Sequence, residues 1–293
     1  MNSRRTFIKQ TGLLVTSLAL APSLAFTTKA PKHPLGLQLW TLRDLLPKDV
    51  KGTIAKVADA GYNQVETFGY SLKDKFWGLD AKAFNNLLKQ NGLTAPSGHY
   101  DMDGFISGQN NTALKSYIEA ANILGSEYVT VPYLGDQLRK TADDFKKIAA
   151  KLNEAGEICK SAGIKLAYHN HNFEFKKFGN TTGFEILLNE TEKNLVDFEM
   201  DIYWVVRAGS DPLQLFKAHP NRFKLWHVKD MDKVNKDWNA EVGKGSINFK
   251  PIFAAAKQAG VKYYFIEHES NYKPDELGSI KTSCTYVKNE LFK

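Results

Sequence analysis

From residue 35 onward the chain alternates short apolar runs with longer segments whose apolar positions recur every three or four residues, the two periods of buried strand and amphipathic helix. The pattern predicts strands over 35–42, 64–68, 94–99, 128–133, 164–171, 196–202, 223–228 and 263–268. It predicts helices over 50–60, 81–90, 113–124, 142–161, 213–218 and 249–258, with a closing helix over 277–291. Gly61, Gly92, Gly125, Gly163 and Gly260 each follow a helical segment and precede a strand, where a left-handed helix cap is needed. Strands that alternate with helices pair in parallel through crossovers, and eight such units over about 260 residues predict one α/β domain, a (β/α)8 barrel. The alternative is a doubly wound open sheet, which often carries a glycine-rich phosphate loop after its first strand. Leu42-Arg43-Asp44-Leu45-Leu46-Pro47 is no such loop.

The first 30 residues follow another pattern. Ser3-Arg4-Arg5-Thr6-Phe7-Ile8-Lys9 resembles the twin-arginine export signal, and an apolar segment from Leu13 to Ala21 follows it. Ser23-Leu24-Ala25 supplies small residues for signal-peptidase cleavage. The apolar segment is interrupted by Thr16, Ser17 and Pro22, whereas a spanning helix needs about 20 apolar residues. The resemblance therefore implies export to the periplasm, a signal and linker over 1–30, a barrel over 31–293, and no membrane association of the mature form.

Composition narrows the picture a little further. Of 293 residues, 43% are hydrophobic and 24% charged, with a formal charge of +7. The cations are spread along the chain and offset locally by acids, with no basic run or aromatic-interleaved patch, which argues against a nucleic-acid partner. Cys159 and Cys284 have neither metal-site nor disulfide-framework spacing.

In a parallel barrel the chemistry sits at the C-terminal strand ends, and those ends are crowded with polar residues. Strand one carries Gln38, Trp40 and Arg43, strand two Glu66, strand three His99 and strand four Tyr133. Strand five reads Tyr168-His169-Asn170-His171, strand six Glu199-Met200-Asp201, strand seven His227-Val228-Lys229-Asp230 and strand eight Ile266-Glu267-His268-Glu269. One polar strand end is commonplace; four consecutive ends bearing metal-ligand residue types form a pattern. His169, Asp201, His227 and Glu267 would place two imidazoles and two carboxylates around one cation, a set that suits Mn2+, Zn2+, Co2+ or Fe2+ better than Ca2+. His171 is the substitute ligand if the strand-five register is displaced by two.

The same segments, with Gly36-Leu37-Gln38-Leu39-Trp40-Thr41-Leu42-Arg43 on strand one and Gly243-Lys244-Gly245-Ser246-Ile247-Asn248 after strand seven, resemble the xylose-isomerase-like superfamily. That group includes sugar-phosphate isomerases and epimerases, ketose 3-epimerases, inosose dehydratase and endonuclease IV. The resemblance implies one divalent ion held by a Glu on strand five, an Asp on strand six, a His on strand seven and a Glu on strand eight. The last three fall on Asp201, His227 and Glu267. Strand five departs from the pattern: His169-Asn170 stands where those relatives have Glu before Asn, closer to the Tyr-His-His-His of inosose dehydratase.

The implied activity is isomerisation or epimerisation of a sugar, keto-sugar or cyclitol by proton abstraction next to a carbonyl. Elimination from, or hydration of, a keto-sugar or keto-glycoside on the same site is the alternative, since it needs only one base and an acid. A sugar-binding barrel without catalysis and a phosphodiester-cleaving metalloenzyme are the remaining classes. Glu267 is the expected base, with Lys229 and Glu66 in supporting catalytic roles. Gln38, Trp40, His99, Tyr133, His171, Trp204 and Lys244 are the expected substrate contacts, with aromatic rings against the C–H face of a sugar. The expected partner is a small sugar, and a homo-oligomer is compatible with the chain.

Overall fold

In the computed structural model the described residues are 33–292. The proposed export signal and its cleavage point lie outside them. Eight strands, numbered here β1 Gly36–Gln38, β2 Gln64–Thr67, β3 Thr94–His99, β4 Tyr128–Val131, β5 Lys165–His169, β6 Val196–Asp201, β7 Phe223–Val228 and β8 Tyr263–Ile266, close into a parallel barrel. Each strand pairs with its sequence neighbours, and β1 closes on β8. This is the (β/α)8 barrel that the pattern predicts.

The strands stop earlier than their apolar runs. After Gln38 the chain turns into a 3-10 helix, Leu39–Leu42, because the Gln38 side chain accepts a hydrogen bond from the Trp40 N–H and caps the turn. The predicted helix over 249–258 is two pieces, Phe249–Ala254 and Ala256–Ala259. A helix absent from the sequence reading, Gly183–Glu190, begins at a capping box in which Thr182 and Glu185 satisfy each other's backbone N–H groups. All five cap glycines have positive φ, between 68° and 103°. At Gly260 a side chain is excluded sterically as well, since a Cβ would stand 2.8 Å from the Asn221 Cα.

Two strand registers shift by one residue. Between β2 and β3, Gln64 faces Thr94 but Glu66 faces Ser97; the extra residue falls at Pro96, which has no N–H for the ladder. Between β6 and β7, Phe198 faces Phe223 but Glu199 faces Leu225, after which Asp201 comes level with His227.

Most of the core lies between the barrel and its helices. A smaller apolar cluster of Tyr128, Ala167, Leu225 and Phe265, with Tyr263 against it, fills the lower barrel. Gly36 belongs to this packing: a Cβ there would lie 2.3 Å from the Phe265 ring. Two residues further along each strand, side chains return to the interior as Thr130, His169, His227 and Glu267. The barrel axis thus runs from an apolar floor to a polar mouth.

Candidate active site

The floor of the polar region is an assembly of buried ionisable groups. Glu199 on β6 is wholly buried, and its Oε2 lies 2.7 Å from His99 Nε2, 3.0 Å from His169 Nδ1 and 3.2 Å from His227 Nε2. Glu66 on β2 lies beside it, with Oε2 2.6 Å from His227 Nε2 and 3.2 Å from His99 Nε2. Gln38 donates to Glu66 at 2.8 Å, and Ser97 donates to its other oxygen. Three imidazoles and two carboxylates therefore meet, with Glu66, Glu199 and His227 wholly buried and His99 and His169 nearly so.

The electrostatics follow from burial and pairing. Burial favours the neutral form of every group here, but the charges of Glu66 and Glu199 outweigh it at His99, and those of Glu199 and Glu267 outweigh it at His227, so both are raised. Burial and the Glu199 charge raise Glu66. Burial would raise Glu199 too, yet His227 and His99 hold it well below the usual carboxylate range. His169 moves the other way: burial and the charge of His227 push it down to about 3, so it is a neutral ring.

Above this floor, His227 Nδ1 lies 3.0 Å from Glu267 Oε2, and His169 Nε2 lies 3.8 Å from Asp201 Oδ2. These are the ring nitrogens that face away from Glu199. The Asp201 Oδ2 atom is buried and has no hydrogen bond; the Lys229 Nζ stands 3.0 Å away but out of hydrogen-bonding direction. Lys229 is itself buried and also contacts Glu267 at 2.6 Å and Glu269 at 3.0 Å. Burial raises Asp201 to about 6, while the Lys229 and His227 charges overcome burial at Glu267 and keep it ionised.

The expected ligands do not form one close set of four. Asp201, His227 and Glu267 have donor atoms within 4.8 Å of one another, and His169 groups instead with His99, Glu199 and His227. The cause is the carboxylate beneath: its hydrogen bond to Nδ1 draws His169 downward, leaving only Nε2 toward Asp201. An orphaned carboxylate oxygen with two imidazole nitrogens and a second carboxylate around it fits a divalent ion of the borderline type. Each imidazole also gives its other nitrogen to a carboxylate, as metal-binding histidines do.

A cavity of about 560 Å3 opens above these groups. Trp40, His99, Tyr133, His169, His171 and Glu267 line it, as expected from the sequence. Other expected contacts lie elsewhere. Gln38 and Glu66 are fully buried below the cavity, their polar atoms committed to each other and to neighbours, so neither reaches a bound molecule from this position. Trp204 stands behind His171, with ring centroids 5.5 Å apart. Asp201 and Lys229 are likewise absent from the cavity wall and act from behind Glu267.

Lys244 lies against Lys281, Thr285 and Tyr286 at a separate surface hollow. Its flanking glycines serve another purpose than approach to a substrate: the loop wraps the Asp230 carboxylate. That carboxylate accepts N–H groups from Met231, Gly243, Gly245 and Ile247 at 2.8–3.1 Å. A Cβ at Gly245 would fall 2.3 Å from Asp230 Oδ1.

Glu199 is the functional-site residue that the sequence reading passed over. It precedes Asp201 by two positions on the same strand, and two-residue alternation turns both into the barrel. Asp101 and Glu269 join the cavity wall from the loops beyond β3 and β8.

The model of the xylose isomerase-like TIM barrel family matches residues 54–289, and the chain belongs to that family. An inosose dehydratase of Clostridium perfringens is 29% identical over 140 residues, which cover 42% of this chain and 46% of that relative. One from Geobacillus thermodenitrificans is 23% identical over 222 residues, covering 64% and 72%. The chain spans a little under half the length of the Clostridium relatives it matches. A solved structure of a sugar phosphate isomerase/epimerase from Parabacteroides distasonis is similar over 90% of this chain and 96% of its own, at 29% identity and a TM-score of 0.77.

Proposed function

We propose that this barrel is a divalent-metal-dependent lyase of the dehydratase type, removing water from a keto-sugar or related cyclitol by proton abstraction next to the carbonyl. The observation that carries the reading is the asymmetry of the cavity wall: of the carboxylates at the ion site, Glu267 alone faces the cavity, while an imidazole, His99, lines it too. Epimerisation by two carboxylates would need Asp101 or Glu269 as the second acid, and these accept hydrogen bonds from the Asp103 N–H and the Lys229 ammonium. The inosose dehydratase relatives support the same choice.

His169, Asp201, His227 and Glu267 would hold the ion, whose identity among Mn2+, Zn2+, Co2+ and Fe2+ the donor set leaves open. When bound, the ion supplies positive charge that polarises the substrate carbonyl. The Glu267 carboxylate takes the proton from the adjacent carbon. His99 gives a proton to the hydroxyl leaving the next carbon, so that a C–H and a C–O bond break, a C=C bond forms and water departs. Lys229 favours the ionised form of Glu267, and Glu66 and Glu199 supply the negative charge that favours the protonated form of His99.

A panel of keto-sugars and inososes, incubated in D2O with each metal and followed by NMR, tests this. An eliminated product that requires metal is the expected result. Epimers or deuterium exchange with no elimination would return the chain to the isomerase reading, and cleavage of a phosphodiester in place of either would place it with the nucleases. Export by the twin-arginine route to the periplasm remains part of the proposal: replacing Arg4 and Arg5 by Lys should retain the full-length chain in the cytoplasm, and unchanged secretion would contradict it.

A further inference from the structure

The cavity wall carries information about what surrounds the reacting sugar. Among the described residues no Lys or Arg lines it, whereas Asp101, Glu267 and Glu269 do. The cations nearest the mouth are already engaged. Arg43 donates to the Trp40 carbonyl, the Tyr272 hydroxyl and the Glu269 carbonyl at 2.9–3.2 Å. Arg139 donates to the Leu134 carbonyl and the Tyr133 hydroxyl and lies 3.4 Å over the Phe173 ring. Lys229 is closed in by three carboxylates. An ion at the proposed site would meet the charges of Asp201 and Glu267, which offset its own. A phosphate dianion held in the outer cavity, away from the ion site and His99, would lose hydration and meet Asp101 and Glu269.

The rest of the wall is aromatic. Trp40 and Phe68 stand edge to face at 5.0 Å on one side, and Tyr70 and Tyr117 continue the surface. Tyr133 faces His171 at 5.4 Å on the other side. Trp40 and Tyr133 remain 41% and 46% exposed; Arg43 lies 5.2 Å over the Trp40 ring and Arg139 5.4 Å over the Tyr133 ring, so each ring offers a ligand its other face. The space is also generous. A hexose, with about a dozen non-hydrogen atoms each taking less than the roughly 30 Å3 share of a liquid water molecule, fills less than about 360 Å3. The cavity holds about 560 Å3.

We propose that the cavity takes a neutral glycoside, with the reacting sugar over the ion site and a second ring between Trp40 and Tyr133, and that it rejects phosphorylated sugars. This rests on the reading of the cavity as a sugar site and adds the class of sugar. Stacking on aromatic faces supplies the affinity for the second ring, and a wall that carries acids and no Lys or Arg among the described residues supplies the discrimination.

The test is calorimetric binding of D-glucose, D-glucose 6-phosphate and phenyl β-D-glucoside to the full-length, metal-loaded protein. The phenyl glucoside should bind about tenfold tighter than glucose, the scale of one or two aromatic contacts. Glucose 6-phosphate should bind at least about tenfold more weakly than glucose. Trp40→Ala should abolish the phenyl advantage, read as the ratio of phenyl glucoside to glucose affinity within the same variant. Ser71→Lys, which adds a cation to the wall, should recover binding of the phosphate ester. Equal or tighter binding of the phosphate ester, no gain from the phenyl ring, or binding of none of the three would overturn the inference. Deuterium exchange on a keto-sugar without a glycoside preference would sink this inference and leave the reaction standing. A glycoside preference without exchange or elimination on any keto-sugar would do the reverse.

Discussion

Oε2 of Glu199 lies 3.0 Å from Nδ1 of His169, a contact that an imidazole at this place on strand five makes and a second carboxylate could not. A Glu at position 169 would point its charge at Glu199 inside a dry barrel. A neutral imidazole instead offers an N–H to Glu199 and keeps Nε2 for the site above. The same carboxylate oxygen stands 3.2 Å from Nε2 of His227, so one acid orients both rings.

Glu199→Gln removes that charge at nearly constant volume. Metal affinity, read by titration calorimetry, should fall by about 10–100-fold, the usual cost of losing a group behind a histidine ligand. Thermal unfolding should still show a cooperative barrel. Unchanged affinity would mean that Glu199 does not orient the ligands.

Much of this was legible in the chain. The eight-fold alternation and the cap glycines carry the fold, because both rest on local backbone requirements that the tertiary structure does not override. The upper layer of the site was legible too, since strand ends in a barrel converge. Glu199 is not legible from the strand ends alone, because it faces inward two positions before the last residue of β6. Lys244 was misjudged for the opposite reason: its glycines looked like room for a substrate, but the occupant of that room is the Asp230 carboxylate, seventeen residues or fewer from every N–H it accepts.

Glu267→Gln should keep an oxygen for the ion and lose the base. Turnover should fall by about 10²–10⁴-fold while metal affinity falls far less. Equal loss of both would assign Glu267 to metal binding alone.

Lys229→Met leaves Asp201, Glu267 and Glu269 without their shared cation. The metal-free variant should lose on the order of 3–5 kcal/mol of stability, the cost of stranding buried charges. A divalent ion should recover part of the loss, since it supplies charge to the same two carboxylates. Calorimetric melting with and without Mn2+ measures this; a variant as stable as the parent without metal would contradict the charge balance described here.

At the opposite end of the barrel, Glu127 is paired with Lys165 at 2.9 Å, with Tyr263 at 2.8 Å and with Lys262. Partial burial pushes its carboxyl up, but the hydrogen bonds from the two lysines outweigh that and bring it down to about 2, from an ordinary value of 4.5. A depressed carboxylate stabilises the fold above its unfolded value and loses that contribution as pH falls. The parent should therefore be more stable than Glu127→Gln at neutral pH, and the difference should shrink between about pH 4.5 and pH 2. A difference constant across that window would show that the ion pairs contribute nothing.

The position of the ion tests the whole account most directly. Crystals grown with Mn2+ or Zn2+ and measured at the metal's absorption edge should show one anomalous peak above the floor, within coordination distance of His169 Nε2, Asp201, His227 Nδ1 and Glu267. A peak below them, among His99, Glu199 and His227 Nε2, or no peak at saturating metal, would contradict it.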